Sequence, residues 1–200
     1  MSENVSLPRH IGFIVDGNRR WAKQHGLPTY EGHLAGYNAL KDVALEVLHR
    51  GVKYASAYVF STENWKRSEE EVGALMQLFR FYMKKLITVA NANNVRAKMI
   101  GERSRFPEDI QKGISELEES TKANTGMLFS FAVNYGGRDE MIRAIRRMAT
   151  ETSAAELPEK LSHLTEEEFS QYLDTAGTPD PDLVIRTSGE FRTSNFLLWQ

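Results

Sequence analysis

The stretch GFIVDGNRRWAKQHG, residues 12–26, sets the expectation for the fold. An apolar run rich in Ile, Phe and Val favours a buried β-strand over residues 10–15. The run ends on the carboxylate of Asp16, and a glycine, an amide and the adjacent Arg19 and Arg20 follow at once. In open parallel sheets, ligands bind beyond the carboxyl ends of the strands. Opposite charges at such a position indicate a charged ligand.

Strands and helices alternate along the rest of the chain. Short apolar runs bounded by turn residues predict four further strands, at 54–60, 95–100, 127–133 and 183–185. Apolar periodicity and capping residues predict helices at 33–50, from Ser68 past Leu86, and at 107–122, 138–149 and 165–173, with a polar connection at 151–158. Alternation of this kind is typical of a mostly parallel central sheet with helices on both faces. We therefore predict a single α/β domain.

The domain is expected to span residues 10–200, after an N-terminal extension at 1–9. The chain ends on apolar residues, 196–199, which need something to pack against. This ending therefore favours a domain that is truncated at its C-terminus.

The overall charge excludes a general binder of polyanions. The chain has 200 residues, with 25 Lys and Arg against 27 Asp and Glu and a net charge of -2. We therefore expect no nucleic-acid partner, and any anion site must come from local clustering. Cysteine is absent, which excludes disulfides and thiolate metal sites. No signal peptide or run of roughly 20 apolar residues is visible, so a cytoplasmic protein is expected.

Arginine follows every predicted strand. The segments are DGNRRW, STENWKR, GERSR, NYGGR and RTSGEFRTSN. Arginine forks and backbone N–H groups at helix starts bind phosphates. Two like charges about 4 Å apart repel by about 4 kcal/mol at an effective dielectric of about 20, so arginines that crowd together need anions between them. Five such loops predict a rim for several phosphates, and Asp16 is the leading candidate ligand for a Mg²⁺ that bridges phosphate oxygens.

The motifs DGNRRWA, GHLAG, FSTENWKR, NYGG and DLVIRTSGEFRTSNFLLWQ, in this order, resemble those of the cis-prenyltransferases, also called undecaprenyl diphosphate synthases. The resemblance extends from Pro8 to Gln200. It implies a hydrophobic tunnel, a homodimer, and a Mg²⁺-dependent condensation of isopentenyl diphosphate with an allylic diphosphate, commonly farnesyl diphosphate, in cis geometry. The polyprenyl diphosphate made would be the lipid-carrier precursor for cell-wall glycan synthesis, and delivery of this product is compatible with peripheral membrane contact.

The resemblance also implies roles for individual residues. Asp16 would be catalytic and hold the metal, and Asn64 would accept a proton or orient the condensing substrate. Since an amide is a poor base, we favour the orienting role. The allylic diphosphate would be cradled by Gly17, Asn18, Arg19, Arg20, Trp21 and His33. A substrate-contacting turn would comprise Ser61, Thr62 and Glu63, with Trp65 and Arg67 beside the allylic substrate. The isopentenyl diphosphate site would comprise Arg186, Arg192, Thr193 and Ser194.

Some residues have structural interpretations that must be weighed against these roles. Asp16 and Asn18 taken alone are more often turn and N-cap residues, and Trp65 would ordinarily be packing. The apolar stripe on the helix after Ser68 is more often core than ligand contact, although the resemblance makes part of it a tunnel wall. The stripe comprises Leu75, Met76, Phe79 and Met83. A solvated helix face is expected for Arg143, Arg146 and Arg147.

Departures from the family pattern bear on activity. Thr29 stands where many members carry arginine, and Phe191 where some have a histidine near the metal. The rival to an active enzyme is a catalytically silent partner subunit or isoprenoid-binding scaffold of the same fold. Such proteins tend to lose the aspartate and the Asn-Trp-x-Arg element, which this chain keeps at Asp16 and at residues 64–67.

Overall fold

A five-stranded sheet forms the centre of the computed structural model, which describes residues 6–200. Its strands are β1 (His10–Ile14), β2 (Tyr54–Ser61), β3 (Val95–Ile100), β4 (Met127–Tyr135) and β5 (Leu183–Arg186). They lie in the order β3-β4-β2-β1-β5, and every neighbouring pair is parallel. The predicted single-domain α/β fold is confirmed. Residues 1–5 of the predicted N-terminal extension lie outside the described residues.

Helices connect the strands. They are α1 (Asn18–Gln24), α2 (Thr29–His49), a 3-10 helix (Thr62–Lys66), α3 (Glu69–Ala92), α4 (Glu108–Thr121), α5 (Gly137–Glu151), α6 (Leu157–His163) and α7 (Glu166–Ser170). Within residues 6–200, none of them combines the length and the apolar character that a membrane crossing requires.

Capping residues begin two helices as predicted. The Ser68 hydroxyl accepts from the Glu71 N–H at the start of α3, and Thr165 and Glu168 form a reciprocal capping box at α7. The polar connection predicted through residue 158 is wrong at its end, since α6 begins at Leu157. Pro158 suits the first turn of a helix because it has no N–H to leave unpaired.

One face of the sheet packs against α2 and α3. Side chains of β2 and β4, such as Ala57 and Phe129, meet Leu40 and Ala44 of α2. Farther along the same face, side chains of β3 and β4 meet the buried side of α3. Helix α4 covers the free edge of β3, where the Thr121 hydroxyl accepts from the N–H of Ala97 at 3.1 Å. Two helices therefore form one layer over the sheet, and α4 protects its edge.

The opposite face packs against the C-terminal part of the chain. Phe196 stacks on Tyr58 of β2 with ring centroids 4.9 Å apart. Lys98 of β3 donates to the carbonyl oxygen of Asp174, which follows α7. The predicted parallel sheet with helices is confirmed, and the contacts described on this face come from the chain after α7.

The arginines of α5 differ from the prediction of a solvated face. Arg143 forms two hydrogen bonds with the carboxylate of Asp174, at 2.8 and 2.6 Å, and only 14% of its side chain is exposed. Arg147 contacts the same carboxylate at 2.9 Å, whereas Arg146 is exposed as predicted. Burial opposes ionisation of Asp174, but the two guanidinium groups hold the pKa of this carboxyl below its usual range. The prediction is wrong for Arg143 and Arg147 because their partner lies about 30 residues away in the chain.

Candidate active site

The carboxyl ends of β1, β2 and β5 meet at one edge of the sheet, and the loops that follow them converge there. The loops open into a cavity of about 770 Å³ that extends between the sheet, α2 and α3. Ten of the predicted site residues line this cavity: Asp16, Asn18, His33, Ser61, Glu63, Asn64, Arg67, Arg186, Thr193 and Ser194. We call the end of the cavity at Asp16, His33, Asn64, Arg67 and Arg186 its polar end.

The predicted rim of arginine-bearing loops surrounds the polar end of the cavity, but it does not include the loop after β3. The prediction that all five loops contribute is wrong on this point. β3 is the edge strand farthest from β1 and β5. Arg103 instead pairs with Glu118 of α4, and the Arg105 guanidinium lies 4.5 Å from the centre of the Trp65 ring. Arg138, after β4, does line the cavity.

Asp16 lies between two arginines. Its Oδ2 accepts from Arg186 at 2.8 Å and is 3.4 Å from the guanidinium of Arg20, and its Oδ1 accepts from the N–H of Gly17 at 2.6 Å. Partial burial opposes ionisation, but the hydrogen bonds from Arg186 and Gly17 and the two arginine charges hold the pKa of the Asp16 carboxyl below its usual range. Asp16 is therefore an anion at neutral pH, at the centre of the rim.

Gly17 permits the turn that places Asp16. Its φ of 97° is one that residues with a side chain rarely adopt, and a Cβ there would lie 2.6 Å from the Ser188 hydroxyl. Gly17 is also the residue that precedes α1, and no side chain caps this helix. The N-cap interpretation of Asp16 and Asn18 is therefore not what the structure shows.

Asn18 lies against α2 because two glycines leave room for it. A Cβ on Gly36 would lie 2.4 Å from the Asn18 Oδ1, and one on Gly32 would lie 2.2 Å from the Asn18 carbonyl oxygen. The GHLAG motif at residues 32–36 is thus a packing surface for α1. The motif contributes to the family resemblance, but the sequence alone does not reveal that its glycines position Asn18.

His33 has an unpaired nitrogen in the cavity wall. Its Nε2 is buried and has no hydrogen-bond partner within residues 6–200. Burial, followed by the charges of Arg67 and Arg19, lowers the pKa of His33, although Glu71 opposes this. The ring is therefore neutral at pH 7, and an anion in the cavity would find a nitrogen available to hydrogen-bond.

Glu71 on α3 joins two arginines that were predicted to bind the allylic substrate. It accepts from Arg67 at 2.6 Å and from Arg19 at 3.3 Å. Glu190, in the loop after β5, similarly lies 3.6 Å from Arg20 and pairs with Arg192. Sequence reasoning missed Glu71 and Glu190 as parts of the rim, because the spacing of Glu71 from Ser68 indicates a capping box and because the motif RTSGEFRTSN stands out for its arginines.

Asn64 is tied to the turn after β2. Its Oδ1 accepts from the N–H of Ser61 at 2.9 Å, and its side chain lines the cavity. The amide NH₂ is then the part of Asn64 that can meet a ligand, and it can only donate. This geometry favours the orienting role over proton acceptance.

Trp65 is partly buried against the core and is not among the residues that line the cavity. Its ring packs on Phe60 and Phe106, and its Nε1 donates to the Asn134 Oδ1 at 2.7 Å. The packing interpretation of Trp65 describes this position. A direct substrate contact by Trp65 stays a prediction.

The loop after β5 gathers around Arg186. The Arg186 guanidinium donates to the Ser194 Oγ at 2.7 Å and to the Arg192 carbonyl oxygen at 2.6 Å, and only 10% of its side chain is exposed. Its Nε is buried without a partner in the described part of the chain. Asn195 caps α5, with its carbonyl oxygen accepting from the Gly137 N–H at 2.7 Å. The loop that follows β5 thus contacts both Arg186 at the polar end of the cavity and the start of α5.

Other predicted site residues lie outside the cavity wall. Trp21 is 40% exposed and stacks on His25, 4.2 Å between ring centroids. Five further predicted residues do not line the cavity but lie beside residues that do. They are Gly17, Arg19, Arg20, Thr62 and Arg192. Thr29 is exposed at the first position of α2, and Phe191 is fully exposed.

The rest of the cavity is apolar. Leu75, Phe79 and Met83 of α3 line it, as expected for a tunnel wall, while Met76 lies in the core. At its far end the cavity reaches Val95 and Met127, the first residues of β3 and β4. A charged rim thus leads into an apolar interior, which suits a ligand with a diphosphate head and a hydrocarbon chain.

Two carboxylates line the cavity in the described part of the chain, those of Asp16 and Glu63. Within residues 6–200 no group of three or more His, Cys, Asp or Glu could enclose an ion. Mg²⁺ is commonly held by one or two carboxylates with substrate phosphate oxygens and water. The residues present fit a Mg²⁺ that is held chiefly by a diphosphate and touched by Asp16.

Comparison with known proteins agrees with this arrangement. A family model described as "Putative undecaprenyl diphosphate synthase" matches residues 14–200. A curated isoprenyl transferase of Clostridium perfringens is 49% identical over 194 residues, which cover 97% of this chain and 76% of that protein. One from Brucella suis is 46% identical over 196 residues, which cover 98% and 76%.

Two solved structures share the fold. Lavandulyl diphosphate synthase from Lavandula x intermedia, in complex with dimethylallyl diphosphate, has a TM-score of 0.88 and 36% identity, covering 96% of this chain and 83% of that one. A "probable undecaprenyl diphosphate synthase" from Campylobacter jejuni has a TM-score of 0.74 and 30% identity, covering 98% and 82%.

Fold and site together define an α/β transferase of isoprenoid chains. The chain belongs to the undecaprenyl diphosphate synthase family of prenyltransferases.

Proposed function

We propose that this prenyltransferase condenses isopentenyl diphosphate with an allylic diphosphate, farnesyl diphosphate in the first instance, in cis geometry. The observation that carries the proposal is the placement of Asp16 between Arg20 and Arg186, at the polar end of an apolar cavity. The allylic diphosphate would lie toward Asn18, Arg20 and His33, with its hydrocarbon in the cavity. Isopentenyl diphosphate would lie on the other side of Asp16.

Isopentenyl diphosphate would bind at the loop after β5. The Arg186 guanidinium and the Ser194 hydroxyl already face each other at 2.7 Å, and Arg192 and Thr193 are beside them in the loop. The buried, unpartnered Nε of Arg186 offers a further donor. Arginine forks of this kind match phosphate geometry.

The reaction would proceed by charge stabilisation and positioning. As the allylic C–O bond breaks, negative charge grows on the departing diphosphate, and Arg19, Arg20 and His33 lie where they can stabilise it. The alkene of isopentenyl diphosphate then forms the new C–C bond with the allylic carbon. A proton is lost to diphosphate or water, while Asn64 orients the alkene.

We also propose that Mg²⁺ binds together with the diphosphates as their counter-ion. When bound, it would neutralise phosphate charge and so ease departure of the allylic diphosphate. Asp16 would hold it through its carboxylate, whose orientation is set by the hydrogen bonds from Arg186 and the Gly17 N–H.

The oligomeric state, localisation and product are proposed from the family to which the chain belongs. A homodimer would cover the apolar side chains of the outer strand β5, where Leu183, Val184 and Ile185 are each more than 40% exposed. We infer a cytoplasmic enzyme with peripheral membrane contact for delivery of its product. The product would be a polyprenyl diphosphate precursor of the lipid carrier for cell-wall glycans.

Chain extension with labelled substrate tests the proposal. The protein is incubated with labelled isopentenyl diphosphate, farnesyl diphosphate and Mg²⁺, and the products are chromatographed. We expect extended prenyl diphosphates from the wild type and a loss of at least about 100-fold in Asp16→Ala, the order seen when one preorganised charge-stabilising group is removed.

Glu116→Ala is the matched control, since this carboxylate is exposed on α4 and its one ion pair within residues 6–200 is with Lys112. It should extend chains at the wild-type rate. Absence of extension by the wild type, with prenyl diphosphate binding retained, would favour the silent-scaffold alternative. Equal extension by Asp16→Ala would refute the role of this residue.

A further inference from the structure

A second, smaller cavity lies at the carboxyl end of β3. Its volume is about 420 Å³, and its walls come from β3, the loop that follows β3, α5 and the segment after α7. Four basic side chains line it: Lys98, Arg103, Arg143 and Arg147. Cations that crowd together repel one another unless anions lie between them. We call this space the basic cavity.

The basic cavity is separate from the rim. β3 lies three strands from β1 in the sheet, which is about 14 Å at about 4.8 Å between neighbouring strands. Met99 contributes to the walls of both cavities, but none of the residues predicted for the active site lines the basic cavity in the part of the chain that the structure describes. An ion bound here would therefore not occupy the place of a substrate.

Asp174 balances two of the four cations. Its two oxygens together accept from Arg143 at 2.8 and 2.6 Å, from Arg147 at 2.9 Å and from the Gly101 N–H at 3.0 Å. A carboxylate offers about four lone-pair positions, and these four donors fill them. The Asp174 carboxylate therefore cannot accept from a further donor.

Lys98 is the cation that these contacts leave unbalanced. Its ammonium donates to the Asp174 carbonyl oxygen at 2.6 Å, and within residues 6–200 it forms no ion pair. Burial lowers the pKa of Lys98, and the charges of Asp174 and Glu118 only partly oppose this. An ammonium has three donors, so two remain for a ligand. An anion in the basic cavity would therefore stabilise the charge of Lys98.

Two of the lining arginines keep accessible surface. Arg103 pairs with Glu118 and Arg147 pairs with Asp174, yet 39% of each arginine side chain stays exposed. We propose that the basic cavity binds a tetrahedral oxyanion, inorganic phosphate in the first instance, between Lys98, Arg103 and Arg147. This site does not depend on the proposed function. Guanidinium groups match the geometry of phosphate oxygens, and an ammonium adds a compact charge.

Glu102 places a negative charge in the wall of the basic cavity. It accepts from the Ser104 N–H at 2.8 Å, and this bond holds the pKa of the Glu102 carboxyl below its usual range. The ionised side chain repels an incoming anion. Glu102→Gln should therefore bind phosphate several-fold more tightly than wild type. An affinity that is unchanged or lower would contradict the site.

Calorimetry with inorganic phosphate at constant ionic strength tests the proposal. Arg186→Gln is the reference protein, because the loss of this arginine weakens phosphate binding at the rim. In this background Lys98→Met should lower the affinity for phosphate by about tenfold or more, the effect of removing a hydrogen bond between charged groups. Lys112→Met is the matched control, since Lys112 is exposed on α4, and it should leave the affinity unchanged. Equal affinities in Lys98→Met and in the control would overturn the proposal.

Acetylation of lysines by acetic anhydride, measured by mass spectrometry of peptides, locates the ion without a substitution in the basic cavity. We expect phosphate to protect Lys98 in wild type and in Arg186→Gln alike, and to leave the labelling of Lys112 unchanged. Labelling of Lys98 that does not respond to phosphate would overturn the proposal. Arg147→Gln replaces Lys98→Met in the calorimetry if the latter fails to fold, and the same loss of affinity is expected.

Discussion

Carboxylates hold the arginines of the rim in place. Glu71 lies between Arg19 and Arg67, and Glu190 lies near Arg20. Without such counter-ions the arginines would repel one another whenever no anion is bound. A diphosphate that enters the rim must share or replace these contacts, so the carboxylates keep the site arranged while limiting the net gain on binding.

The pKa of His33 should change when an anion binds beside its ring. Its pKa is lowered by burial and by Arg67 and Arg19. Since a diphosphate adds negative charge beside the ring, we expect the pKa of His33 to rise when inorganic diphosphate binds. NMR titration of the histidine ring protons, with and without diphosphate, measures the change, and His163 on α6 is the control that should not respond.

The direction in which pH changes the affinity for diphosphate follows from the expected rise in the pKa of His33. If the complex binds a proton at His33 more tightly than the free protein does, affinity for diphosphate increases as the pH falls through the pKa of His33 in the complex. Calorimetry between pH 8 and pH 6 measures this. A His33 pKa that stays the same or falls on binding would contradict a diphosphate site at this position.

At the scale of elements, the contact between α1 and α2 positions the residues of the rim. Gly36→Ala should destabilise the fold and weaken diphosphate binding, because the new Cβ would lie 2.4 Å from the Asn18 Oδ1 and would displace the Asn18 side chain from its place between α1 and α2. Urea denaturation measures the stability, and calorimetry with inorganic diphosphate measures the binding.

Gly73→Ala is the matched control, in the second turn of α3. A Cβ there would meet nothing within 4 Å. Since alanine favours a helix over glycine by about 0.5–1 kcal/mol, this variant should be more stable than wild type and bind diphosphate normally. If Gly36→Ala behaved like Gly73→Ala, the close packing of α1 on α2 would not matter for the site.

The elements themselves were largely predictable, since their signals are local. Apolar periodicity and the caps at Ser68 and Thr165 placed α3 and α7, and all five strands lie within about two residues of their predicted bounds. The state of Arg143 was not predictable, because its partner Asp174 lies on a different element. Periodicity indicates which helix face is polar, but it does not show which charged side chains are buried in pairs.

At the scale of the whole molecule, sheet order decides which loops form the site. The chain pattern predicts that strand ends meet at one edge, but it does not predict the order β3-β4-β2-β1-β5. That order brings Asp16, Asn64 and Arg186 together and takes Arg103 to α4. The residues after β1, β2 and β5 could therefore be predicted as one site, while the exclusion of the loop after β3 required the structure.

The cavity is likewise a property of the whole molecule. It forms because α2 and α3 cover one face of the sheet while remaining apart along most of their length. The sequence shows an apolar stripe on α3, but it does not show that Met76 packs in the core without lining the cavity, whereas Met83 does both.

The central claim is that a single rim binds two diphosphates around Asp16 and directs one hydrocarbon chain into the cavity. A crystal structure with farnesyl thiodiphosphate, an unreactive sulfur analogue, together with isopentenyl diphosphate and Mg²⁺ tests it most directly. We predict one diphosphate against Asn18, Arg20 and His33, a second against Arg186 and Ser194, and the farnesyl chain between α2 and α3. A farnesyl chain outside the cavity, or diphosphates bound away from Asp16, would contradict the account.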